Sequence, residues 1–200
     1  MENLLRFLCQ VVVNTLYRLK IIGRENIPVS GPAVLVCNHV SFVDWLIIAC
    51  ACRRPVRFVM HYRYMKTPFT GRIFKNAKVI PISGERENPG ILNAALRQIA
   101  NLLDEGEIVC IFPEGTITKD GNMGPFRRGI EKIVKRTPVP VIPMALKGMW
   151  GSFFSKKHGK PMTKPFRRIW SRLSLIIGEA VHPRDVSSEG LRQRIGQLLV

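Results

Sequence analysis

The chain has 200 residues, of which 46% are hydrophobic and 22% charged. This length fits one ordinary α/β domain or two very small ones, and the composition allows a sizeable core and excludes wholesale disorder. The 31 lysines and arginines against 14 acidic residues give a net charge of +17, which predicts a polyanionic partner such as nucleic acid, an anionic membrane or a phosphorylated substrate. Five cysteines without a CxxC pair argue against a disulfide framework or a zinc site and favour a reducing compartment.

The first 16 residues are predicted to form an amphipathic helix. Polar residues recur every four positions among aliphatic ones, at Arg6, Gln10, Asn14 and Arg18, so a helix here has a narrow polar stripe and a wide apolar face. Such a helix fits the surface of a bilayer, although a core helix of a larger assembly shows the same pattern. The apolar runs are shorter than the ~18 residues that cross a bilayer, and the features of a secretory signal are missing.

Residues 17–200 alternate between strand-like and helix-like runs and are predicted to form one domain. The predicted strands are Tyr17–Ile22, Ala33–Cys37, Val56–Met60, Lys78–Ile82, Glu107–Phe112, Val139–Leu146 and Arg172–Gly178. The clearest helix is Pro89–Glu105, for which Asn88 is a suitable N-cap. The alternation predicts a mostly parallel sheet of about seven strands that is covered by helices. Because the sixth strand contains Pro140 and Pro143, we expect it at an edge of the sheet or irregular.

Most of the positive charge lies in two segments. Residues 53–86 hold nine basic residues and one acid, a net charge of +8, and residues 147–172 hold eight basic residues and no acid, again +8. Aromatic residues and methionines are interleaved with the charges in both segments. This combination is typical of surfaces that bind anionic lipid and also of surfaces that bind single-stranded nucleic acid. A solvated basic face is the plain alternative.

A histidine and an aspartate five positions apart follow the second predicted strand. On one continuous helix His39 and Asp44 would lie about 140° apart. They meet only if His39 lies on the loop and Asp44 in the first turns of the predicted helix Phe42–Ala51, which Asn38 or Ser41 is suited to cap. An aspartate bonded to one imidazole nitrogen leaves the other free to act as a base. A purely structural pair at a helix start has the same sequence, but sites of open α/β sheets lie at such strand ends.

The fifth predicted strand ends in Phe-Pro-Glu-Gly-Thr. Pro113 and Gly115 turn the chain there, and they bracket the carboxylate of Glu114 and the hydroxyl of Thr116. Alone, this sequence is equally typical of a structural turn. Because both motifs follow strands of one predicted sheet, we expect them at neighbouring strand ends.

These motifs resemble three motifs of the glycerolipid acyltransferase family, the 1-acylglycerol-3-phosphate acyltransferases. The segment 38–44 resembles the family's NH-x4-D motif, 112–116 its FPEGT motif, and 139–143 its V-P-[IV]-[IV]-P motif. Their order and spacing also resemble those of the family from about Tyr17 to Val181. The resemblance implies an α/β fold at the membrane. It also implies acyl transfer from acyl carrier protein or coenzyme A to the hydroxyl of a lysophospholipid.

The resemblance further implies a role for each motif. His39 takes the proton from the glycerol hydroxyl as this hydroxyl attacks the thioester, and Asp44 orients and stabilises His39. Glu114, Gly115 and Thr116 hold the glycerol-phosphate part of the acceptor. The predicted substrate contacts are completed by Asn38, Ser41, Arg86 and Pro113. No metal and no cofactor beyond the thioester donor is expected. The predicted partner is an anionic membrane surface at its cytoplasmic face, and no nucleic acid is expected.

Two arginine positions of the family are not matched here. Ile117 stands where the family often has an arginine directly after FPEGT, and Arg86 is displaced by about two residues from the other position. Fewer fixed guanidiniums suit a phosphodiester headgroup better than a monoester, which carries almost twice the charge. In this the pattern is similar to the acyltransferase domain of bacterial 2-acylglycerophosphoethanolamine acyltransferases, where the domain is one module of a longer protein with an acyl-carrier-protein synthetase.

Two functions of other classes remain open from the sequence. A basic module that binds anionic membrane or nucleic acid without catalysis explains the charge, but it gives no reason for the two motifs at the strand ends. A lipid hydrolase that uses Ser41 as its nucleophile requires the hydroxyl of Ser41 within hydrogen-bond distance of His39.

Overall fold

The computed structural model describes residues 10, 11, 13–66, 71, 74–157, 159 and 170–200. Within this part of the chain, seven strands form one sheet in the order β1-β7-β6-β2-β5-β3-β4. The strands are β1 (Tyr17–Ile22), β2 (Ala33–Cys37), β3 (Val56–His61), β4 (Ile80–Ile82), β5 (Ile108–Ile111), β6 (Val141–Lys147) and β7 (Ser171–Ile177). The helices are α1 (Asp44–Ala51), α2 (Pro89–Asp104), α3 (Gly129–Arg136) and α4 (Ser188–Leu199).

The sheet is mostly parallel, as predicted. Every pair of neighbouring strands is parallel except β6 and β7. The apolar residues of α1 pack on one face of the sheet, and those of α2, α3 and α4 pack on the other. The prediction of a single α/β domain is therefore confirmed. The carboxyl ends of β2, β5 and β6 meet at one edge, which we refer to as the carboxyl edge.

Local sequence explains where α2 and α1 begin. Asn88 caps α2 as predicted, because its side-chain Oδ1 accepts a 3.0 Å hydrogen bond from the backbone N–H of Ile91. The predicted helix after His39 begins at Asp44, two residues later than expected, and the residue before it, Val43, offers no side-chain cap. Asn38 does not cap this helix, because its side chain bonds to the backbone of Leu146. The hydroxyl of Ser41 accepts a 3.3 Å hydrogen bond from the N–H of Val43, in the turn just before α1, and not from an N–H of the helix itself.

The sixth strand was expected at an edge of the sheet or irregular, and the edge position is wrong. β6 lies inside the sheet, between β7 and β2. The strand tolerates Pro143 because the backbone beside it is no longer part of the β7 ladder: Gly178, just after β7, donates to the carbonyl of Pro143, and Val181 pairs with Val141. Pro143 has no N–H to donate, and this costs no ladder hydrogen bond because β7 has already ended beside it, at Ile177.

The predicted N-terminal helix lies mostly outside the described residues, since these begin at Gln10 and omit residue 12. Gln10, Val11 and residues 13–16 are helical, and Val13 is buried in the core. Arg18, the last residue of the four-residue polar repeat, lies beyond this helix on β1, which begins at Tyr17 as predicted. In the part of the chain that the structure describes, no helix is both long and apolar enough to span a membrane.

Candidate active site

His39 lies on the loop that leaves β2 at the carboxyl edge. Its imidazole stacks on the ring of Phe112, which follows β5, with 4.2 Å between the ring centroids and 18° between the planes. The backbone carbonyl of His39 accepts a hydrogen bond of 2.9 Å from the N–H of Thr118. The loop after β2 and the loop after β5 therefore hold the histidine between them.

Asp44, the first residue of α1, is fully buried and reaches back to this loop. Its Oδ2 lies 2.9 Å from His39 Nδ1 and accepts hydrogen bonds from the backbone N–H groups of Val40 at 2.7 Å and Ser41 at 2.9 Å. The structure thus brings His39 and Asp44 together in the arrangement that the loop-then-helix reasoning required. The carboxylate both anchors the loop and accepts from the imidazole.

This arrangement fixes the state of the imidazole. Because Asp44 Oδ2 accepts hydrogen bonds, the neutral form of His39 carries its proton on Nδ1 and has its lone pair on Nε2. Within the described residues Nε2 has no hydrogen-bond partner. The imidazole is 21% exposed, and it forms part of the wall of a cavity. A basic nitrogen is therefore available to a molecule that enters this cavity.

The cavity has a volume of about 260 Å³ and a mixed lining. Its polar lining residues are Asn38, His39, Glu114, Thr118, Asn122 and Lys147. Its apolar lining residues are Val40, Met123, Leu146, Met149, Trp150 and Leu199. An apolar pocket with a few convergent polar groups is typical of a site for a small amphipathic ligand.

Glu114 connects the loop after β2 to the loop that follows the FPEGT turn. Its Oε1 accepts a 2.7 Å hydrogen bond from the backbone N–H of His39, and its Oε2 accepts a 2.8 Å hydrogen bond from that of Gly124. The residue is only 6% exposed, and burial raises the pKa of its carboxyl group above the ordinary value although both N–H groups oppose this. Both oxygens of Glu114 are therefore occupied by the protein backbone.

Comparisons with known proteins show the family of the chain. A family model described as "Acyltransferase" matches residues 18–147. The chain belongs to the acyltransferase family. It is 29% identical to a 1-acyl-sn-glycerol-3-phosphate acyltransferase of Bacillus subtilis over 204 residues, which cover 94% of this chain and 92% of that protein.

Two further relatives extend the acyltransferase comparison. A chloroplastic 1-acyl-sn-glycerol-3-phosphate acyltransferase of Brassica napus is 35% identical over 133 residues, or 66% of this chain and 38% of that protein. The crystal structure of a 1-acyl-sn-glycerophosphate acyltransferase of Thermotoga maritima superposes with a TM-score of 0.74 at 22% identity, over 99% of this chain and 76% of that one. The superposition on the Thermotoga structure shows that the two chains share a fold.

Arg127 contacts two residues of the FPEGT turn, Pro113 and Gly115. Pro113 is buried, and its carbonyl accepts a 2.9 Å hydrogen bond from the N–H of Arg127. Gly115 has a φ of +67°, and a Cβ there would lie 2.8 Å from Nε of Arg127. This turn therefore favours glycine for its left-handed backbone, with the guanidinium of Arg127 close beside it. Thr116 is exposed beside it.

Three residues that were predicted to contact substrate either bond to other parts of the protein or lie away from the cavity. Asn38 pairs with the backbone of Leu146 on β6, donating at 3.1 Å and accepting at 2.8 Å, although it also lines the cavity. Ser41 is fully buried and its hydroxyl donates to the carbonyl of Phe154 at 3.1 Å. Arg86 is exposed on the loop between β4 and α2 and is not part of the cavity wall. Their roles in substrate binding stay predictions.

The bond of Ser41 to Phe154 bears on the hydrolase hypothesis. That hypothesis needs the Ser41 hydroxyl on His39, whereas in the described residues no hydrogen bond joins the two side chains. A buried hydroxyl that already donates to a backbone carbonyl is poorly placed as a nucleophile.

Sequence reasoning missed the segment that closes the cavity. Thr118 accepts from the N–H of Gly121, and the ring of Trp150 lies over Gly121, where φ is +95° and a Cβ would come within 2.7 Å of the indole. Gly124 completes the segment by binding Glu114. The glycines at 121 and 124 were the available signal, because two glycines soon after a motif indicate close backbone approaches. Within the described residues no cluster of histidine, cysteine and acidic groups is suited to a metal ion.

Proposed function

We propose that the chain transfers a fatty acyl group from a thioester donor to the free hydroxyl of a lysophospholipid of the 1-acylglycerol-3-phosphate type. The observation that carries this proposal is the His39–Asp44 pair, with Nε2 of His39 free on the wall of the cavity. The names of the relatives from Bacillus and Brassica support the acceptor class.

The chemistry needs one base and no covalent intermediate. Nε2 of His39 removes the proton of the acceptor hydroxyl as its oxygen attacks the thioester carbonyl. When the carbon–sulfur bond breaks, the thiolate leaves and takes this proton from the imidazolium. The products are the acylated lipid and the free thiol of the carrier, so atoms and charges balance. A positioned base contributes about 10²–10⁴-fold, and holding both substrates together contributes further.

Asp44 and Glu114 act through His39 in this mechanism. Asp44 keeps the proton on Nδ1 and stabilises the imidazolium that forms during proton transfer. Glu114 acts as a positioning residue, since its two oxygens join the backbone of His39 to that of Gly124. A direct bond to glycerol, the role that the motif resemblance implied, would use the remaining lone pairs of the same carboxylate.

Arg127 is our candidate for the headgroup phosphate. Its guanidinium lies against Gly115 of the FPEGT turn and is exposed, whereas Ile117 is buried and carries no charge. One guanidinium beside the turn suits a phosphodiester as well as a monoester. Lysophosphatidylethanolamine is therefore the second candidate acceptor.

We propose that the reaction takes place at an anionic membrane surface, on its cytoplasmic face, with acyl carrier protein or coenzyme A as the carrier of the acyl group. The net charge of +17 supports an anionic surface. The reducing compartment that the cysteine pattern predicts supports the cytoplasmic face.

An acyl-transfer assay on liposomes tests this function. The purified chain is supplied with lysophosphatidic acid or lysophosphatidylethanolamine and, in separate reactions, with acyl-ACP or acyl-CoA, and the products are identified by mass spectrometry. We expect diacyl product from at least one combination, and formation of this product at least about 100-fold slower with His39→Ala. Release of free fatty acid without acylation of any acceptor would contradict the proposal and favour a hydrolase.

A further inference from the structure

Strands β1 and β7 present three basic side chains on one face of the sheet. Arg18 stands opposite Arg172, and Lys20 stands opposite Ser174. Paired residues and residues two apart on a strand share a face, so Arg18, Lys20 and Arg172 all project from the same side. With Trp170, which directly precedes β7, they define what we refer to as the β1–β7 face.

The charges of the β1–β7 face are not neutralised by the protein. Arg18, Lys20 and Arg172 are exposed, and in the part of the chain that the structure describes no carboxylate forms an ion pair with them. β1 and β7 contain no acidic residue. Like charges directly opposite each other on neighbouring strands destabilise a sheet. An anion bound over Arg18 and Arg172 relieves this repulsion.

The β1–β7 face adjoins the candidate active site. Because β7 runs antiparallel to β6 and β1 runs parallel to β7, the first residues of β1 and β7 lie at the carboxyl edge. Lys147, the last residue of β6, stands opposite Ser174 and also lines the cavity that contains His39. Its Nζ donates to the backbone oxygen of Val200 at 3.0 Å. A ligand on the β1–β7 face therefore lies one strand away from the cavity mouth.

Trp170 adds an aromatic group to this basic face. The residue is 61% exposed, and the guanidinium of Arg18 lies 5.4 Å from the centroid of its ring. An indole prefers the headgroup level of a bilayer, where its ring is in apolar surroundings and its N–H remains hydrated. Among the described residues of the β1–β7 face Trp170 is the one exposed ring, which suits a lipid surface better than single-stranded nucleic acid, since the latter stacks successive bases on successive rings.

We propose that the β1–β7 face docks the protein onto the phosphates of anionic phospholipids, with Arg18 and Arg172 as the principal contacts and Trp170 at the headgroup level. The purpose of this docking rests on the proposed function: a lysophospholipid in the same membrane leaflet then reaches His39 past Lys147 without leaving the interface. The docking itself is a binding event and is measured without acyl transfer.

The test compares two double variants with the same change in net charge. Arg18→Gln with Arg172→Gln removes the principal contacts. The control, Arg97→Gln with Lys135→Gln, removes two exposed charges from α2 and α3, for which the described residues offer no ion pair. Binding of the full chain is measured by flotation with phosphatidylcholine vesicles that contain about one third phosphatidylglycerol. Circular dichroism verifies that each variant is folded.

We expect the Arg18/Arg172 variant to bind these vesicles roughly 30-fold more weakly than wild type, since each arginine contributes about 1 kcal/mol at such a surface. The control variant is expected to bind within about threefold of wild type, because its charges lie away from the interface. Wild-type binding is expected to fall with added salt. The blue shift of tryptophan fluorescence on binding should disappear in Trp170→Phe.

Equal losses of vesicle binding in both double variants would overturn the proposal, because binding would then depend only on the net charge of the protein. Wild-type affinity in the Arg18/Arg172 variant would overturn it as well, and so would tighter binding to single-stranded RNA than to the vesicles. The proposed function fails separately: a wild-type protein that docks through these arginines but acylates no acceptor retains the docking surface and loses the enzymatic assignment.

Discussion

The described part of the chain contains two histidine–carboxylate pairs with the same separation and very different surroundings. His39 lies 2.9 Å from Asp44, and His61 lies 2.9 Å from Glu87. Asp44 is fully buried, whereas the Glu87 side chain is 31% exposed and also pairs with Arg63. The distance alone therefore does not distinguish a candidate catalytic pair from a surface pair.

The two pairs differ in what remains free on the imidazole. Both nitrogens of His61 have partners, because Nε2 contacts Glu87 and Nδ1 accepts from the N–H of Arg63. His39 uses Nδ1 for Asp44 and presents Nε2 to the cavity. A base needs an unoccupied nitrogen, a rigid partner and room for substrate, and in these respects only the first of the two pairs is suitable.

The largest effect is expected from removing each histidine in turn. His39→Ala should lower the rate of acyl transfer by about 10²–10⁴-fold because the general base is lost, whereas His61→Ala should leave the rate within about twofold. Rates are measured on liposomes with the best donor and acceptor, after thermal melts show that both variants are folded. Comparable losses in the two variants would remove the distinction between the pairs.

The next largest effect is expected from replacing Glu114, which bonds to the backbone of His39, and not from replacing Glu87, the partner of His61. Glu114→Gln places an amide N–H₂ against a backbone N–H of His39 or Gly124, so the loop of His39 shifts and kcat should fall on the order of 10- to 100-fold while the KM for the acceptor changes little. Glu87→Gln should leave both constants close to those of wild type. A rise in KM with unchanged kcat in Glu114→Gln would instead identify Glu114 as a substrate ligand, as the motif resemblance implied.

A smaller effect concerns the cavity that His39 faces. Gly121 and Gly106 both have a positive φ, of +95° and +81°, but only Gly121 has Trp150 against it. Gly106→Ala should lower the free energy of unfolding by about 1–2 kcal/mol through backbone strain. Gly121→Ala should cost a further ~1–3 kcal/mol because the indole must shift, and it should also lower activity. Urea denaturation measures the loss of unfolding free energy in both variants. Equal losses would mean that the indole of Trp150 moves aside without cost.

The sequence predicted the parts of this molecule that depend on local pattern. The bounds of β1 and β2 agree with the predicted strands because short β-branched runs end at clear turn residues. The meeting of His39 and Asp44 followed from geometry, since five residues across a loop and a first helical turn bring the two side chains together. The mostly parallel sheet of seven strands was predicted from the alternation of strand and helix.

Long-range pairing could not be predicted from the sequence. The position of β6 inside the sheet depends on where β7 turns away from Pro143, which local proline rules do not contain. Ser41 was expected near substrate, but a backbone carbonyl 113 residues away in the sequence, that of Phe154, takes its hydroxyl. The same limit hid the bond between Glu114 and Gly124, because ten residues of irregular loop leave the direction of a side chain undetermined.

The two glutamates should also respond to pH with opposite signs. Burial raises the pKa of Glu114 above its ordinary value of 4.5, whereas the hydrogen bond from His61, with further contacts from Tyr62 and Arg63, lowers the pKa of Glu87 below that value. A raised folded-state pKa means that the folded protein binds more protons than the unfolded chain. The contribution of Glu114 to stability is therefore present below pH 4.5 and is lost as the pH rises through its folded pKa. The contribution of Glu87 is present above pH 4.5 and is lost as the pH falls through its folded pKa.

This contrast is measured by urea denaturation of wild type, Glu114→Gln and Glu87→Gln at several pH values around 4.5. The stability of wild type relative to Glu114→Gln should decrease as the pH rises from 4.5, because the buried carboxyl group must ionise in the folded state. Relative to Glu87→Gln it should decrease as the pH falls below 4.5, because the exposed pair with His61 is broken by protonation. Slopes of the same sign for the two variants would mean that the environments of the two carboxyl groups do not differ, and the contrast between the two pairs would then rest only on the nitrogen that His39 leaves free.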